Sequence, residues 1–149
     1  MDKLTNIRVT RVCDCDIDII FGKISKWEDL PLYWYGMRNI TKQDDDTFLV
    51  KFAFPGKSRM KYIVNGEAKS CREIYLSGAF RGFKEIKIEK DPSSKTRINV
   101  VWEIELSAAL RMMRERMVQH LTLGTEHALE RIIEAAGRLS PQENQLSTE

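Results

Sequence analysis

The sequence has few of the features that mark a secreted or membrane-spanning chain. It contains three cysteines among 149 residues, an odd number that does not suit the disulfide framework of a small secreted domain, so we expect reduced thiols. No apolar run approaches the roughly 18 residues that a membrane-spanning helix needs. We therefore expect no stable membrane insertion. Because residues 1–10 do not resemble a secretory signal, we expect a cytoplasmic protein.

A strong excess of one charge is also missing. The chain has 24 Lys and Arg residues against 22 Asp and Glu residues, which gives a net charge of +2. Proteins that neutralise many phosphates usually carry a larger basic surplus, so we expect no nucleic-acid partner. With 42% hydrophobic residues, a chain of this length can bury one sizeable core. The composition thus favours a small-molecule or protein partner.

What the sequence does contain is a change of hydrophobic period along the chain. Residues 7–15 are typical of a half-buried strand, and apolar residues three or four apart predict a short helix over 17–25, with Asp16 as its N-cap. A second short, irregular helix is predicted over 27–34. From 37 to 106 the period becomes two and turn-forming residues recur, which predicts five or six further antiparallel strands.

A single long helix is predicted near the end of the chain, over 107–136, with Gly137 as its stop. Its apolar residues recur at steps of three and four and form a continuous stripe. Only the apolar face of the predicted sheet is large enough to cover that stripe. The polar residues 140–149 are expected to be a disordered tail, which leaves 1–139 as a single domain.

This order of elements resembles a known superfamily. The segment WEDLPLYWYGMRNI after the first helix, and SAALRMMRERMVQHLTLGTEHALERIIEAAG later, are similar to the helix-grip (SRPBCC) superfamily of START lipid-transfer domains, birch-pollen-allergen-like proteins and polyketide cyclase/dehydratase-like proteins. The resemblance implies an α+β fold. In it, a curved antiparallel sheet of six to seven strands wraps around a long C-terminal helix, with two short helices after strand one. It also implies a cavity between sheet and helix that receives apolar ligands.

The implied cavity has candidate lining residues on the strands, the short helices and the first half of the long helix. Met112, Met113 and Met117 concentrate flexible side chains on that helix, which suits a variable ligand. Aromatic residues with a few polar groups are typical of pocket walls. The predicted ligand-binding residues are Trp34, Phe52, Phe54, Tyr62, Ile74, Trp102, Met113, Met117 and His120. The same residues would equally form a closed core, and the sequence leaves that alternative open.

Metal or catalytic chemistry has little support in the sequence. Cys13 and Cys15 share one side of a strand, but Cys71, His120 and His127 have no recognisable metal-ligand spacing. We therefore expect no metal and no cofactor. His120 lies at the margin of the helix stripe, where a histidine at the edge of the core is the simpler interpretation and contact with a ligand is the alternative.

The sequence therefore predicts a carrier or sensor that binds a small or medium hydrophobic molecule, such as a lipid, isoprenoid or polyketide-like compound. One alternative is a cyclase/dehydratase-type enzyme, in which His120 or a tyrosine would move protons on a polyketide-like substrate in the same cavity. A second alternative is a co-chaperone-like protein-interaction module. No assembled catalytic set is visible for the enzyme, and no large exposed apolar stripe is visible for the module.

Overall fold

The computed structural model describes residues 4–138. The strands are β1 (Leu4–Cys13), β2 (Met37–Lys42), β3 (Phe48–Phe52), β4 (Lys57–Asn65), β5 (Ser70–Gly78), β6 (Phe80–Lys90) and β7 (Thr96–Leu106). The helices are α1 (Ile17–Ile24), α2 (Leu30–Tyr33), α3 (Ala108–Arg111) and α4 (Arg114–Arg138), with a 3-10 turn at Trp27–Asp29 before α2. The tail predicted at 140–149 lies outside the described residues.

The strands form one antiparallel sheet in the order β1-β7-β6-β5-β4-β3-β2. Strands β2 to β7 follow one another as a meander, and β1 pairs along its whole length with β7. The first strand, predicted over 7–15, begins and ends earlier, at Leu4 and Cys13. The predicted α+β helix-grip architecture is confirmed, including the two short helices after strand one and the long C-terminal helix.

One face of the sheet packs toward α4 and supplies much of the hydrophobic core. On β7 the buried side chains alternate, as the period of two predicts: Ile98, Val100, Trp102 and Ile104. On α4 they recur at helical spacing: Met117, Leu121, Thr125, Ala128, Leu129, Ile132 and Ala136. Each large apolar side chain removed from water contributes about 1.5–3 kcal/mol. This contact between sheet and helix is therefore a main source of stability.

The prediction of one continuous helix over 107–136 is wrong at its N-terminal part. The chain forms the short α3, turns at Met112 and Met113, and begins α4 at Arg114. The Met113 N–H donates to the carbonyl of Leu110, three residues back, at 3.0 Å, so the four-residue hydrogen-bond pattern is interrupted. Met112 is 89% exposed and Met113 is 44% exposed. Neither proline nor glycine marks this break, which is why hydrophobic spacing alone misses it.

The segment predicted as a second short helix, 27–34, is divided into the 3-10 turn and α2. Pro31 lies in the first turn of α2, where its missing N–H sacrifices no helical hydrogen bond. At the preceding helix, the predicted N-cap is present: the Asp16 carboxylate accepts two backbone N–H groups of the first turn of α1. Local capping chemistry therefore sets the start of α1.

Two glycines allow neighbouring strands to approach closely. Gly78 has a φ of +104° and Gly82 a φ of +129°, a backbone region that L side chains rarely adopt. A Cβ atom on Gly78 would lie 2.0 Å from the carbonyl oxygen of Lys57, and one on Gly82 would lie 2.1 Å from that of Glu103. Both positions therefore require glycine.

We expect Gly82→Ala to lower the free energy of unfolding by about 2 kcal/mol or more, because the new methyl group forces both strands apart and leaves a strained φ. Gly22→Ala is the matched control. A Cβ on Gly22 of α1 has no atom within 4 Å, so alanine is expected to stabilise that helix by up to about 1 kcal/mol. Chemical denaturation measures both changes. A Gly82→Ala protein as stable as the wild type would contradict the constraint.

Candidate functional site

A cavity of about 350 Å³ lies between the sheet and α4. Its aromatic walls come from the segment after α2, from the end of β3 with the turn that follows it, and from β7. The aromatic residues are Trp34, Tyr35, Phe52, Phe54 and Trp102. The polar and charged lining residues are Lys84, His120, Thr125, His127 and Arg131. An apolar, aromatic wall with a few polar groups is typical of small-molecule sites.

The cavity brings together part of the predicted site. The predicted residues that line it are Trp34, Phe52, Phe54, Trp102 and His120. Those that do not are Tyr62, Ile74, Met113 and Met117. Met113 lies in the exposed turn before α4, and Met117 is buried in the core away from this space. Contact of any of these residues with a ligand stays a prediction.

Tyr62 and Ile74 have structural positions elsewhere in the sheet. The Tyr62 hydroxyl donates a hydrogen bond to the carbonyl of Ile24, which ties β4 to the end of α1. Ile74 lies on the outer face of β5, because the inward positions of that strand include Glu73 and Tyr75. The predicted site residue Ile74 therefore lies on the face of β5 that points away from the cavity side of the sheet.

The rings of the cavity wall pack against one another in fixed orientations. Phe52 and Phe54 are stacked, with ring centroids 4.8 Å apart. His120 meets Phe54 edge-on, with centroids 6.2 Å apart. The buried pair Trp34 and Trp102 is also edge-on, at 6.3 Å. Offset and edge-to-face pairs are the favourable geometries of aromatic rings, so the wall is a preformed aromatic surface.

A charged pair is buried on the sheet side of the cavity. Lys84 of β6 and Glu73 of β5 are directly opposite each other in the strand register. Lys84 Nζ lies 2.7 Å from Glu73 Oε2, and the two side chains are 0% and 2% exposed. The other carboxylate oxygen, Oε1, accepts a hydrogen bond from the Tyr75 hydroxyl. Both Glu73 oxygens thus have partners within the cluster. Lys84 is the charged group of this cluster that lines the cavity.

Burial governs the protonation of this cluster. Loss of solvent lowers the pKa of Lys84 from 10.5 to about 8, although the Glu73 carboxylate opposes that shift. Burial also raises the pKa of Tyr75 well above 10, and Glu73 raises it further. Tyr75 therefore remains a hydrogen-bond donor, whereas Lys84 loses its charge at a lower pH than an exposed lysine does.

Glu73, Tyr75 and Lys84 are absent from the predicted site, although the sequence contains a signal for them. Lys84 alternates with Ile86 on the inward face of β6, and Glu73 alternates with Cys71 and Tyr75 on the inward face of β5. A charged residue on the apolar face of each of two neighbouring strands predicts a buried pair, because an isolated buried charge is costly. The strand register then determines that the two meet.

Polar residues of α4 lie at the rim of the cavity. His120 and His127 are both exposed and both line the space. Arg131 Nη1 donates to the carbonyl of Tyr33 at 2.8 Å. The Arg131 guanidinium also lies 3.4 Å from the ring centroid of Tyr35. Arg131 therefore ties α4 to the segment after α2, beside the cavity.

The described thiol and histidine side chains are not arranged as a metal site. Within residues 4–138, no group of three or more His, Cys, Asp or Glu residues is placed to hold a metal ion. Cys13, Cys15 and Cys71 are free thiols. Burial raises the pKa of Cys15 and that of Cys71 to about 11, so both are protonated at neutral pH. None of the helices described combines the length and hydropathy needed to cross a bilayer.

Comparison with known proteins gives matches at the level of structure. No protein-family model and no curated protein matches the sequence. A solved structure of a START superfamily protein from Mycobacterium smegmatis superposes with a TM-score of 0.69 at 12% identity, over 91% of this chain and 99% of that one. The Zhui aromatase/cyclase from Streptomyces sp. R1128 gives a TM-score of 0.72 at 9% identity, over 91% and 94% of the two chains.

A third similar structure is norcoclaurine synthase from Thalictrum flavum, solved in complex with dopamine and hydroxybenzaldehyde. It superposes with a TM-score of 0.67 at 15% identity, over 92% of this chain and 88% of the synthase. At such low identities the likeness concerns the fold. The chain therefore has the helix-grip fold found in START superfamily proteins, the aromatase/cyclase and norcoclaurine synthase.

Proposed function

We propose that this protein is a carrier or sensor that binds a small hydrophobic molecule containing a planar ring, in the cavity between the sheet and α4. The observation that carries the proposal is the aromatic wall formed by Trp34, Phe52, Phe54 and Trp102 around a space of about 350 Å³. Apolar ligand surface buried against such a wall contributes about 25 cal/mol per Å². The entropic costs of binding offset part of that gain.

The size of the cavity narrows the class of ligand. Small-molecule sites usually measure about 300–1,000 Å³, and this one lies near the lower limit. A compact ring compound fits that space better than a lipid with two acyl chains. Two fold neighbours support this reading: one is named an aromatase/cyclase, and the other was solved with dopamine and hydroxybenzaldehyde, which are both ring compounds.

Gly124 leaves part of the cavity space open on the α4 side. It is one of the lining residues, and a Cβ atom at this position would meet nothing within 4 Å. A larger side chain here would extend into space that the ligand would occupy, without altering the aromatic wall. Gly137 lies in the same helix with equally open surroundings, but it is not a lining residue. The two glycines therefore form a matched pair for a filling experiment.

We expect Gly124→Leu to raise the Kd of N-phenyl-1-naphthylamine, an apolar fluorescent probe, by about tenfold or more, because leucine occupies the ligand space. Stability should not fall, since leucine has a higher helix propensity than glycine. Gly137→Leu should leave the Kd unchanged. Fluorescence titration and thermal unfolding of the three proteins measure these effects.

Two results would contradict the proposal. One is a wild-type protein that gives no saturable binding of the probe at a single site. The other is an unchanged Kd in a folded Gly124→Leu variant, which would place the bound probe elsewhere on the molecule.

The enzymatic alternative has a different candidate proton donor from the one that the sequence suggests. His120 is exposed at the rim, and within residues 4–138 no hydrogen bond joins its imidazole to another side chain. Lys84 is buried beside the cavity, and burial lowers its pKa to about 8, in the range that general acid–base catalysis uses. A catalytic form of this proposal would therefore depend on Lys84 rather than on His120.

A further inference from the structure

Two buried nitrogen atoms on residues of the cavity wall have N–H groups without an acceptor. Lys84 Nζ and Trp34 Nε1 are both closed to solvent, and apart from the Glu73 carboxylate beside Nζ no acceptor among residues 4–138 meets either atom. Both residues belong to the cavity wall. A buried donor left without an acceptor costs about 1–3 kcal/mol. Native proteins keep few such groups, so the pair requires an explanation.

Glu73 balances the charge of Lys84 but can engage only one of its N–H groups. Its Oε2 lies 2.7 Å from Nζ, the distance of a charge-assisted contact. Its Oε1 is occupied by the hydroxyl of Tyr75. An ammonium group has three N–H donors, so Lys84 has unused donor capacity at the cavity wall.

The two unsatisfied donors lie next to each other. Lys84 Nζ lies over the face of the Trp34 ring, 3.1 Å from its centroid, and the indole N–H of the same ring points outward in the ring plane. The second cavity tryptophan differs: Trp102 Nε1 donates to Thr125 Oγ1 at 2.9 Å. That hydroxyl in turn donates to the carbonyl of Leu121 at 2.7 Å. The fold thus supplies a hydrogen-bond acceptor for the indole N–H of Trp102 but, among residues 4–138, none for the indole N–H of Trp34.

The chemistry of these donors defines the group that fits them. An ammonium and an indole N–H can only donate, so their partner must be an acceptor. Oxygen acceptors of carbonyl, carboxylate or phenolate groups make charge-assisted hydrogen bonds with lysine, which are stronger than neutral ones. The surrounding rings of Phe52, Phe54 and Trp102 favour an apolar, planar body on the same molecule.

We propose that the ligand of this cavity is a ring compound with an acceptor oxygen, and that this oxygen accepts hydrogen bonds from Lys84 Nζ and Trp34 Nε1 when the ligand displaces the Trp34 ring from its place over Nζ. The inference rests on the proposed ligand-binding function and adds the chemical class of the ligand. Glu73 and Tyr75 are positioning residues in this arrangement, because they hold the Lys84 side chain and leave its free N–H groups to the ligand.

The test compares 2-acetylnaphthalene with 2-isopropenylnaphthalene, which has nearly the same shape but a CH₂ group in place of the oxygen. Both compete with N-phenyl-1-naphthylamine, and the measured quantity is the Kd of the hydrocarbon divided by that of the ketone. We expect this ratio to fall by about tenfold or more in Lys84→Met, the loss expected for a charged hydrogen bond. Lys87→Met, on the exposed side of the same strand, should leave the ratio unchanged.

A second variant removes the indole donor while keeping an aromatic ring. Trp34→Phe should lower the same ratio by about threefold or more, since a neutral hydrogen bond contributes less than a charged one. Trp27→Phe is the control, because Trp27 packs on Phe48 and is not a lining residue. If Lys84→Met does not fold because Glu73 is left unpaired, the double variant Lys84→Met/Glu73→Gln removes that charge.

The ratio should also depend on pH. Burial lowers the pKa of Lys84 to about 8, so raising the pH from 7 to 9.5 removes the ammonium charge and should weaken ketone binding relative to hydrocarbon binding. Cys71 and Tyr75 near it have raised pKa values, about 11 for the thiol. The other charged or titratable groups are Glu73 beside Lys84 and, on the cavity wall, Tyr35, His120, His127 and Arg131. Lys84→Met retains all of these groups, so the pH dependence that this variant loses belongs to Lys84.

The outcomes separate this inference from the function on which it rests. If none of the three compounds binds the wild-type protein, the proposed function fails. If all three bind but folded variants of Lys84 and Trp34 keep the wild-type ratio, the function stands and the acceptor-oxygen inference is overturned, with ordered water as the partner of the two donors. A ratio that falls in both variants, and not in the Lys87 and Trp27 controls, supports the inference.

Discussion

The packing of one side of α4 against the sheet is the constraint on which the rest of the structure depends. Leu121, Leu129 and Ile132 close the core on this side, and the alternating inward residues of β7 form its other half. Gly124 presents no side chain at this point of the helix, a Cβ there would meet no atom of the described residues within 4 Å, and the cavity borders this position. The space is thus set by a local absence of side-chain volume within an otherwise packed interface.

The buried Glu73–Lys84 pair is better explained by the cavity than by stability. Removing two charges from water costs several kcal/mol per ion, and an apolar pair of similar volume is often as stable or more stable. The Trp34 face, 3.1 Å from Nζ, and Tyr75 recover part of that cost through cation–π and hydrogen-bond contacts. A fold that needed only a closed core would have little use for this pair. The proposed polar contact with a bound ligand would account for its position on the cavity wall.

Much of the fold follows from local patterns, and the site follows less directly. The period of two, the Asp16 cap and the helical spacing of the α4 stripe each act within a few residues, so they can be read from the sequence. The turn at Met112 interrupts a run of good helix formers, so local helix propensity does not predict it. Likewise, β5 has apolar residues on both faces, and only its register with β6, which places Glu73 opposite Lys84, identifies the inner one. The assembled structure also determines which residues of the helical stripe face the cavity and which face the core. His120 lines the cavity, whereas Met117 is buried in the core.

The distribution of tryptophans has an optical consequence. The chain contains three tryptophans, of which Trp34 and Trp102 belong to the cavity wall while Trp27 packs on Phe48. Indole emission responds to the polarity and charge around the ring, and Lys84 Nζ lies 3.1 Å from one of these rings and 5.0 Å from the other. A molecule bound in the cavity as proposed would alter the surroundings of both rings at once. The two tryptophans would then act as an internal spectroscopic reporter of occupancy, visible in ultraviolet emission without any added label.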